Sequence, residues 1–480
     1  MKRIRIIISA IVALLVIALP FISVITVAVA TPPQYSSTFV GELDEKFDRL
    51  NEIDEPKIVI VGGSSAAFGI DSAMIEKYTG MPVVNFGLYA ALGTKLMLDL
   101  SRSGINEGDV VLIVPELEAQ TLSLYFNSEM TLQAFDGNFE MMRYIREENL
   151  FTLLSAMWKF AGDKLDYIRA GNAPNPDGVY NSKNFNEYGD LVFERKNNIM
   201  SLYYDPNVMI NPDPSVISDD FVDYVNEYVK FCERRGADVY FGFSPMNRMG
   251  VREGADEESF KEFSKYLEKK LDCPIISNIN DYVYDAGYFY DTNFHLNEAG
   301  VKAHTVNLTK DLLLELGIPT YVDEEIPEAP ELPEIDVRYF GEDENAKYFT
   351  YEKTENGAYK IIGLSELGKT QKKLTLPLGY EAYKVMYVGD GAFSDGCAEE
   401  IILTVDTNIR AFSSFVFSEC EELRSLWIYY PTAEDIMPAD FAGMRNDFKI
   451  HIPPESTYDN DYNWGPLSAN GIDYVKDAVK

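Results

Sequence analysis

The sequence predicts an α/β fold built on a parallel sheet, and three observations indicate it. Ile58–Val61 is a continuous β-branched run, which is typical of a strand buried on both faces. Gly62 and Gly63 follow at once, so this strand ends in a tight turn. Strand-like and helix-like segments then alternate as far as residue 318, and such alternation produces a parallel sheet with right-handed crossovers.

The remaining elements follow in chain order, starting with a helix over Ser72–Tyr78 that has Asp71 as its N-cap. We expect further strands at Pro82–Phe86, Asp109–Val114, Ala237–Phe243 and Pro274–Ser277, and helices at Thr94–Ser103, Ser218–Arg235, Glu257–Leu271 and Asn297–Leu316. Two helical patterns, Met130–Glu148 and Phe151–Arg169, interrupt the alternation within an insertion over residues 119–215. Because this insertion follows a strand end, we expect it to act as a lid or a substrate wall.

Composition and charge restrict the function classes. The chain has 480 residues, enough for two or three domains. Its formal net charge of −35 argues against nucleic acid or an anionic membrane surface as a partner, because both would repel it. Cys232, Cys273, Cys397 and Cys420 lack the spacing of a metal site, so we expect buried free thiols, with a Cys397–Cys420 disulfide as the alternative. Neither a metal nor another cofactor is implied.

The N-terminus has the pattern of an exported protein. A basic start, Met1–Arg5, precedes the uncharged apolar run Ile6–Ala30, which exceeds the roughly 20 residues needed to span a bilayer core. We therefore expect residues 1–30 to be a single-pass membrane anchor that places the rest of the chain outside the cell. Ala28–Ala30 also fits a signal-peptide cleavage site, so secretion after cleavage is the alternative.

Two distant segments carry the candidate catalytic residues. Ser64 and Ser65 lie on the turn after the first strand, and open α/β sheets bind ligands at the carboxyl ends of their strands. A serine hydroxyl needs a base, and His295 follows Asp291 on a polar loop where the carboxylate can orient the imidazole ring. Gly87 follows the second strand and is either a backbone donor to an oxyanion or a plain turn glycine.

These segments resemble the SGNH (GDSL-like) hydrolase superfamily over residues 55–318. The likeness rests on the turn Gly62–Ser64, on Gly87, and on the late element Asp291–His295. Within the superfamily, the chain looks most like the membrane-anchored bacterial subgroup, which resembles the proteins of teichoic-acid D-alanylation and alginate O-acetylation. The resemblance implies a three-layer α/β fold and acyl-ester chemistry at a bacterial cell surface.

The resemblance also implies a role for each matching residue. Ser64 would be the nucleophile, with Ser65 as the alternative. His295 would be its base, and Asp291 would orient the ring of His295. The backbone N–H groups of Ser64 and Gly87 would hold the oxyanion of the acyl-transfer intermediate.

The chain departs from the family pattern at two positions. After the third strand, where the family usually has an asparagine, this chain has Glu116, which cannot donate a hydrogen bond while ionised. We expect Glu116 either to line the substrate site or to cap the sheet. The family places its aspartate three residues before the histidine, at Thr292 here, so Asp291 is one residue further away. Asp281 and Asp285 are the alternatives to Asp291.

The C-terminal part of the sequence contains a repeat. Phe393, Phe417 and Phe441 are 24 residues apart, and each is followed by an apolar strand-like segment. Together with Gly391–Ser394, this pattern is similar to the leucine-rich repeats of BspA-type bacterial surface antigens. The resemblance implies a short β solenoid that binds a surface protein or a glycan, or that serves as a spacer.

The sequence therefore predicts a linear arrangement of five segments. They are residues 1–30 (anchor or signal segment), 31–56 (connector), 57–318 (SGNH hydrolase-like domain), 319–345 (acidic, proline-rich linker) and 346–480 (leucine-rich-repeat-like domain). The predicted function is that of an extracytoplasmic serine esterase or O-acyltransferase that acts on acyl esters of a cell-surface or extracellular glycan or cell-envelope polymer. The alternative is a catalytically inactive surface protein that binds a glycan or another protein with the same fold.

Overall fold

The computed structural model describes residues 19–200, 202–205, 208–252, 254–354, 356–413, 415–439, 441, 444–459, 461, 464 and 472–479. The chain divides into two units according to its internal contacts. The first unit comprises Met1–Tyr204 and Val208–Leu332, and the second comprises Pro333–Lys480 together with Asp205–Asn207. The main division, after Leu332, falls inside the predicted linker.

The first unit contains the segments that the sequence assigns to alternating strands and helices. Its helices are α1 (residues 19–30), α2 (Leu43–Glu52), α3 (Ser64–Gly69), α4 (Ser72–Thr79), α5 (Thr94–Ser101), α6 (Ser128–Ala134), α7 (Glu147–Ala170), α8 (Asp219–Arg235), α9 (Glu257–Lys270) and α10 (Glu298–Glu315). Its strands are β1 (Ile58–Gly62), β2 (Val83–Asn85), β3 (Val110–Val114), β4 (Asp238–Phe241), β5 (Met246–Asn247) and β6 (Val283–Tyr284).

The main sheet of this unit is parallel, with the strand order β2-β1-β3-β4. Every residue of β1 and β3 is buried, as expected for β-branched strands that are covered on both faces. Side chains also begin the helices as predicted: Asp71 accepts a hydrogen bond from the N–H of Met74, and Asn297 accepts one from Gly300. The α/β class with mostly parallel sheets is therefore confirmed.

Three predicted elements differ from the structure. The residues after Gly63 form the short helix α3, where the sequence predicted only a turn. The prediction of one helix over Met130–Glu148 is wrong, because Gly137 at φ +132° separates α6 from the segments before α7. The predicted strand Pro274–Ser277 is reduced to an isolated bridge between Ile275 and Phe241.

The predicted membrane anchor over Ile6–Ala30 has to be corrected. Within the part of the chain that the structure describes, no helix is long and apolar enough to cross a membrane. Residues 19–30, the described part of this run, are helical. The single-pass topology inferred from this run, with the rest of the chain outside the cell, is corrected with it. Residues 6–18 of the predicted anchor lie outside the described residues.

The second unit is built mainly from β-strands. They are β7 (Phe349–Lys353), β8 (Tyr359–Leu364), β9 (Lys373–Thr375), β10 (Gly379–Tyr380), β11 (Tyr383–Val388), β12 (Glu400–Leu403), β13 (Ala411–Phe412), β14 (Ser425–Ile428), β15 (Lys449–His451) and β16 (Asp473–Val475). One sheet, β9-β12-β14-β15-β16, is parallel throughout, and the other, which contains β7, β8, β10, β11 and β13, is mixed.

The phenylalanines of the 24-residue repeat stack on one another in the core of the second unit. The ring centroids are 5.7 Å apart between Phe393 and Phe417, and 5.1 Å apart between Phe417 and Phe441. The alternative of a disulfide between Cys397 and Cys420 is wrong, because both cysteines are free and half-buried.

Candidate active site

The turn after β1 passes so close to the end of β3 that it requires glycine. A Cβ atom on Gly62 would lie 2.6 Å from the carbonyl oxygen of Val114, and one on Gly63 would overlap the carboxyl group of Glu116. Because both positions exclude a side chain, the backbone can turn directly from β1 into α3. Ser64 is the first residue of α3, and its side chain is buried at the carboxyl end of the central strand.

Three of the predicted site residues form a continuous hydrogen-bonded chain. The Oγ atom of Ser64 lies 2.7 Å from Nε2 of His295, and Nδ1 of the same ring lies 2.7 Å from Oδ1 of Asp291. An ionised carboxylate can only accept hydrogen bonds, so the ring proton of neutral His295 is on Nδ1. The lone pair on Nε2 then faces the hydroxyl of Ser64, which is the arrangement that proton removal from a serine requires.

The loop before α10 explains how Asp291 reaches His295 across a spacing of four residues. The hydroxyl of Thr292 accepts hydrogen bonds from the backbone N–H groups of Phe294 (3.2 Å) and His295 (3.1 Å). Thr292, three residues before His295, therefore helps to fold the loop, and the carboxylate one residue earlier contacts the ring. Of the alternatives, Asp281 and Asp285 are both exposed, and Asp285 pairs with Arg248 instead.

The ring of Phe68 and the buried guanidinium of Arg195 pack next to the hydrogen-bonded residues Ser64, His295 and Asp291. The ring of Phe68, in α3, stacks on the imidazole of His295 with centroids 3.8 Å apart. Arg195 lies 5.3 Å from the ring centre of Phe68 and donates hydrogen bonds to four backbone carbonyl groups, those of Phe68, Leu191, Phe193 and Leu296. Burial lowers the pKa of Arg195 to about 10, and the charge of Asp291 acts in the opposite direction. Arg195 thus remains a cation at neutral pH.

The structure gives the N–H of Gly87 a different partner from the one expected. It donates to the side-chain oxygen of Asn85 at 3.2 Å, so in this geometry it does not offer a free donor to an oxyanion. The amide group of Asn85 donates in turn to the carbonyl of Ala66 and to Asp190, and burial raises the pKa of Asp190. Glycine is still required at position 87, because a Cβ there would overlap that of Ala66.

Glu116 packs against the turn that leads from β1 into α3. Its Oε1 atom accepts a hydrogen bond from the backbone N–H of Ser65 at 2.8 Å, and its carboxyl group packs against Gly63. The side chain is buried, and within the described residues neither its Oε2 atom nor the hydroxyl of Ser65 has a hydrogen-bond partner. Glu116 therefore holds the turn in place, and Ser65 lacks the contact with a base that Ser64 has.

No family model, curated protein or solved structure matches the chain. The site is therefore interpreted from its own geometry. Within the described residues, no group of three or more His, Cys, Asp or Glu side chains is arranged to hold a metal ion.

Proposed function

We propose that the first unit is an SGNH-like serine esterase or O-acyltransferase that acts on acyl esters of a glycan. The observation that carries this proposal is the hydrogen-bonded chain from Ser64 through His295 to Asp291, with 2.7 Å at both contacts. The parallel sheet supports it, because the serine lies at the carboxyl end of a central strand, where such sheets bind ligands. The glycan as substrate class rests on the resemblance of the sequence motifs.

In the first half of the proposed reaction, Ser64 Oγ attacks the carbonyl carbon of the ester while its proton passes to Nε2 of His295. The carbonyl oxygen becomes an oxyanion, and Asp291 stabilises the imidazolium. When the tetrahedral intermediate collapses, the bond from carbon to the alcohol oxygen breaks, and His295 returns the proton to that oxygen. The free glycan hydroxyl leaves, and the acyl group remains as an ester of Ser64.

In the second half, a water molecule attacks the acyl-enzyme and yields a carboxylic acid, or the hydroxyl of a second glycan attacks and yields a new ester. His295 removes a proton from the attacking oxygen and then gives one to Ser64 Oγ, so the enzyme returns to its starting state. The backbone N–H of Ser64 starts α3, where no preceding helical turn supplies an acceptor, and it is the proposed oxyanion donor.

A second candidate function is binding without catalysis, and two contacts favour it. The N–H of Gly87 is occupied by Asn85, and the N–H of Ser65 is occupied by Glu116. Loss of one oxyanion donor costs on the order of 10²–10³ in rate. With the N–H of Gly87 occupied, the N–H of Ser64 is the remaining one of the two expected donors, and such a chain would bind an acylated glycan with little or no turnover.

For the second unit, we propose a short leucine-rich-repeat-like solenoid that binds a glycan or a protein. The parallel pairing of β12, β14 and β15 and the stack of Phe393, Phe417 and Phe441 support the repeat. This proposal is tested by measuring whether a glycan or protein ligand binds residues 333–480 and whether the same ligand binds the first unit. Binding to residues 333–480 alone would support it.

The catalytic proposal is tested by labelling the full chain with a fluorophosphonate, which reacts only with activated serines. Wild type is compared with Ser64→Ala, Ser65→Ala and His295→Ala, and Ser65→Ala is the matched control because it removes the neighbouring hydroxyl. We expect label on wild type and Ser65→Ala, none on Ser64→Ala and much less on His295→Ala. A folded wild type that takes no label would favour the binding function, and loss only in Ser65→Ala would move the nucleophile by one residue.

A further inference from the structure

The second oxygen of the Asp291 carboxylate has a partner from a distant part of the chain. The hydroxyl of Tyr180 lies 2.7 Å from Oδ2 of Asp291, while Oδ1 contacts His295. Because an ionised carboxylate only accepts hydrogen bonds, the tyrosine is the donor. The hydrogen-bonded chain at the site therefore has four members, and the fourth comes from the predicted insertion over residues 119–215.

The ring of Tyr180 is fixed by aromatic neighbours. Its centroid lies 5.6 Å from that of Phe39 in the connector and 6.1 Å from that of Phe68 in α3. Phe68 is the residue that stacks on His295, so the tyrosine and the base pack against the same ring. This packing restricts both side-chain torsions of Tyr180 and leaves its hydroxyl directed at Asp291.

The backbone around Tyr180 is fixed as well, by the connector before β1. Thr38 and Asn181 form an antiparallel bridge, and the hydroxyl of Ser182 donates to the carbonyl of Ser36 at 2.7 Å. The N–H of Ser182 donates to the carbonyl of Ser37. The segment that carries Tyr180 is thus paired with a second segment and does not behave as a free loop.

Asp291 needs this restraint because of its place on the loop. The backbone hydrogen bonds of the loop go to the hydroxyl of Thr292 and to the carbonyl of His295, whereas the contacts described for the Asp291 carboxylate are those with His295 and Tyr180. Without a donor at Oδ2, the carboxylate would gain freedom about its terminal torsion, and His295 would lose its fixed orientation.

We propose that Tyr180 is a positioning residue of the active site, whose hydroxyl holds Asp291 in the orientation that aligns His295 with Ser64. This inference rests on the proposed function of the first unit. Tyr180 acts through Asp291 and not on the substrate, so its loss lowers kcat and leaves KM unchanged. Hydrogen bonds to charged groups and supporting contacts of this type correspond to about ten- to a hundredfold in rate.

The test is Tyr180→Phe in the full chain, which removes the hydroxyl and keeps the ring. Tyr224→Phe is the matched control, because Tyr224 also donates to a buried aspartate, Asp99, outside the site. The readouts are the rate of fluorophosphonate labelling, and kcat and KM for a simple aryl acetate. We expect a ten- to a hundredfold loss of kcat in Tyr180→Phe only, and no further loss when Tyr180→Phe is added to Asp291→Ala.

The outcomes separate this inference from the proposed function. Labelling of Tyr180→Phe at the wild-type rate, or an equal loss in the Asp291→Ala background, would overturn the positioning role while the serine chemistry stands. Absence of label on wild type would overturn the proposed function instead. In that case proton NMR of the His295 Nδ1–H, which resonates far downfield when it is hydrogen-bonded to Asp291, still tests the role of Tyr180. Loss of this resonance in Tyr180→Phe would support the role of Tyr180 in holding Asp291. Its persistence would overturn that role.

Discussion

The imidazole of His295 lies flat on the phenyl ring of Phe68, with 3.8 Å between the ring centroids and 9° between the ring planes. Phe68 belongs to α3, the helix that begins with Ser64. The six residues of this helix therefore present the candidate nucleophile and support its base together. The position of His295 relative to Ser64 is therefore set where the loop before α10 packs on α3.

This stacking predicts a selective effect of Phe68→Leu. Leucine fills much of the buried volume but offers no flat surface, so the ring of His295 gains rotational freedom, and we expect about tenfold slower fluorophosphonate labelling. The control is Phe221→Leu, a change at an equally buried phenylalanine in α8. The prediction is supported if Phe68→Leu and Phe221→Leu have equal melting temperatures but Phe68→Leu is labelled more slowly. Equal labelling rates in the two variants would contradict it.

The choice of the orienting carboxylate can be tested by amide substitutions. Asp291→Asn keeps the shape of the side chain but can favour the wrong tautomer of His295, so kcat should fall by on the order of 10³–10⁴. Asp285→Asn should leave kcat unchanged, since this exposed carboxylate pairs with Arg248. Steady-state kinetics with an aryl acetate measures kcat for both variants. A large loss of kcat in Asp285→Asn and none in Asp291→Asn would assign the orienting role to Asp285.

Glu116→Gln should raise activity and leave the fold intact. The amide oxygen can still accept the hydrogen bond from the N–H of Ser65, while the negative charge beside the oxyanion position disappears. We expect kcat to increase by up to about tenfold, measured next to the thermal unfolding midpoint of both proteins. A fall in kcat at an unchanged midpoint would show that the carboxylate itself takes part in the reaction.

The burial of His304 predicts how the free energy of unfolding depends on pH. This buried ring donates from Nδ1 to the carbonyl of Gly69, and burial lowers the pKa of His304 from 6.5 to about 4. Between these pH values the unfolded chain takes up a proton that the folded chain does not. The free energy of unfolding therefore falls as the pH falls from 6.5 to 4. At 1.36 kcal/mol per pKa unit, the contribution of His304 approaches about 3 kcal/mol.

His304→Gln isolates that contribution, because glutamine is neutral at every pH and can still donate to the carbonyl of Gly69. Urea unfolding of both proteins at several pH values from 7 to 4 measures the difference. We expect the variant to be less stable at pH 7 and the two stabilities to converge toward pH 4. Parallel curves would mean that the ring does not titrate between these values.

The sequence was sufficient for the α/β class, because β1 and β3 are continuous β-branched runs and because Asp71 and Asn297 begin their helices as predicted. The hydrophobic periodicity predicted one long helix over Met130–Glu148, but Gly137, at φ +132°, interrupts it. The basic start Met1–Arg5 and the long uncharged run Ile6–Ala30 predicted a membrane anchor, and the described helices do not contain such a span.

At the site, sequence reasoning named Ser64, His295 and Asp291, which the structure brings within hydrogen-bonding distance. It missed Tyr180 and Arg195, since both lie in the insertion, where aromatic and basic residues are common and no spacing relates them to the histidine loop. It left Gly87 open as an oxyanion donor or a turn glycine, and the structure shows that the side chain of Asn85 accepts the hydrogen bond from its N–H. Residues whose types form a known catalytic combination could thus be named from the sequence, whereas the partners of Gly87, Tyr180 and Arg195 needed the fold.

The stacked phenylalanines of the second unit determine which changes in length this part of the chain tolerates. Phe393, Phe417 and Phe441 are 24 residues apart, and β12, β14 and β15 pair in parallel with their neighbours. Duplication or loss of one whole 24-residue segment leaves each strand beside an equivalent strand and restores the contact between the rings. Deletion of one residue within a strand instead turns every later side chain of that strand to the opposite face. Relatives of this chain should therefore differ here by whole segments, and gene duplication gives them a direct route to a longer surface.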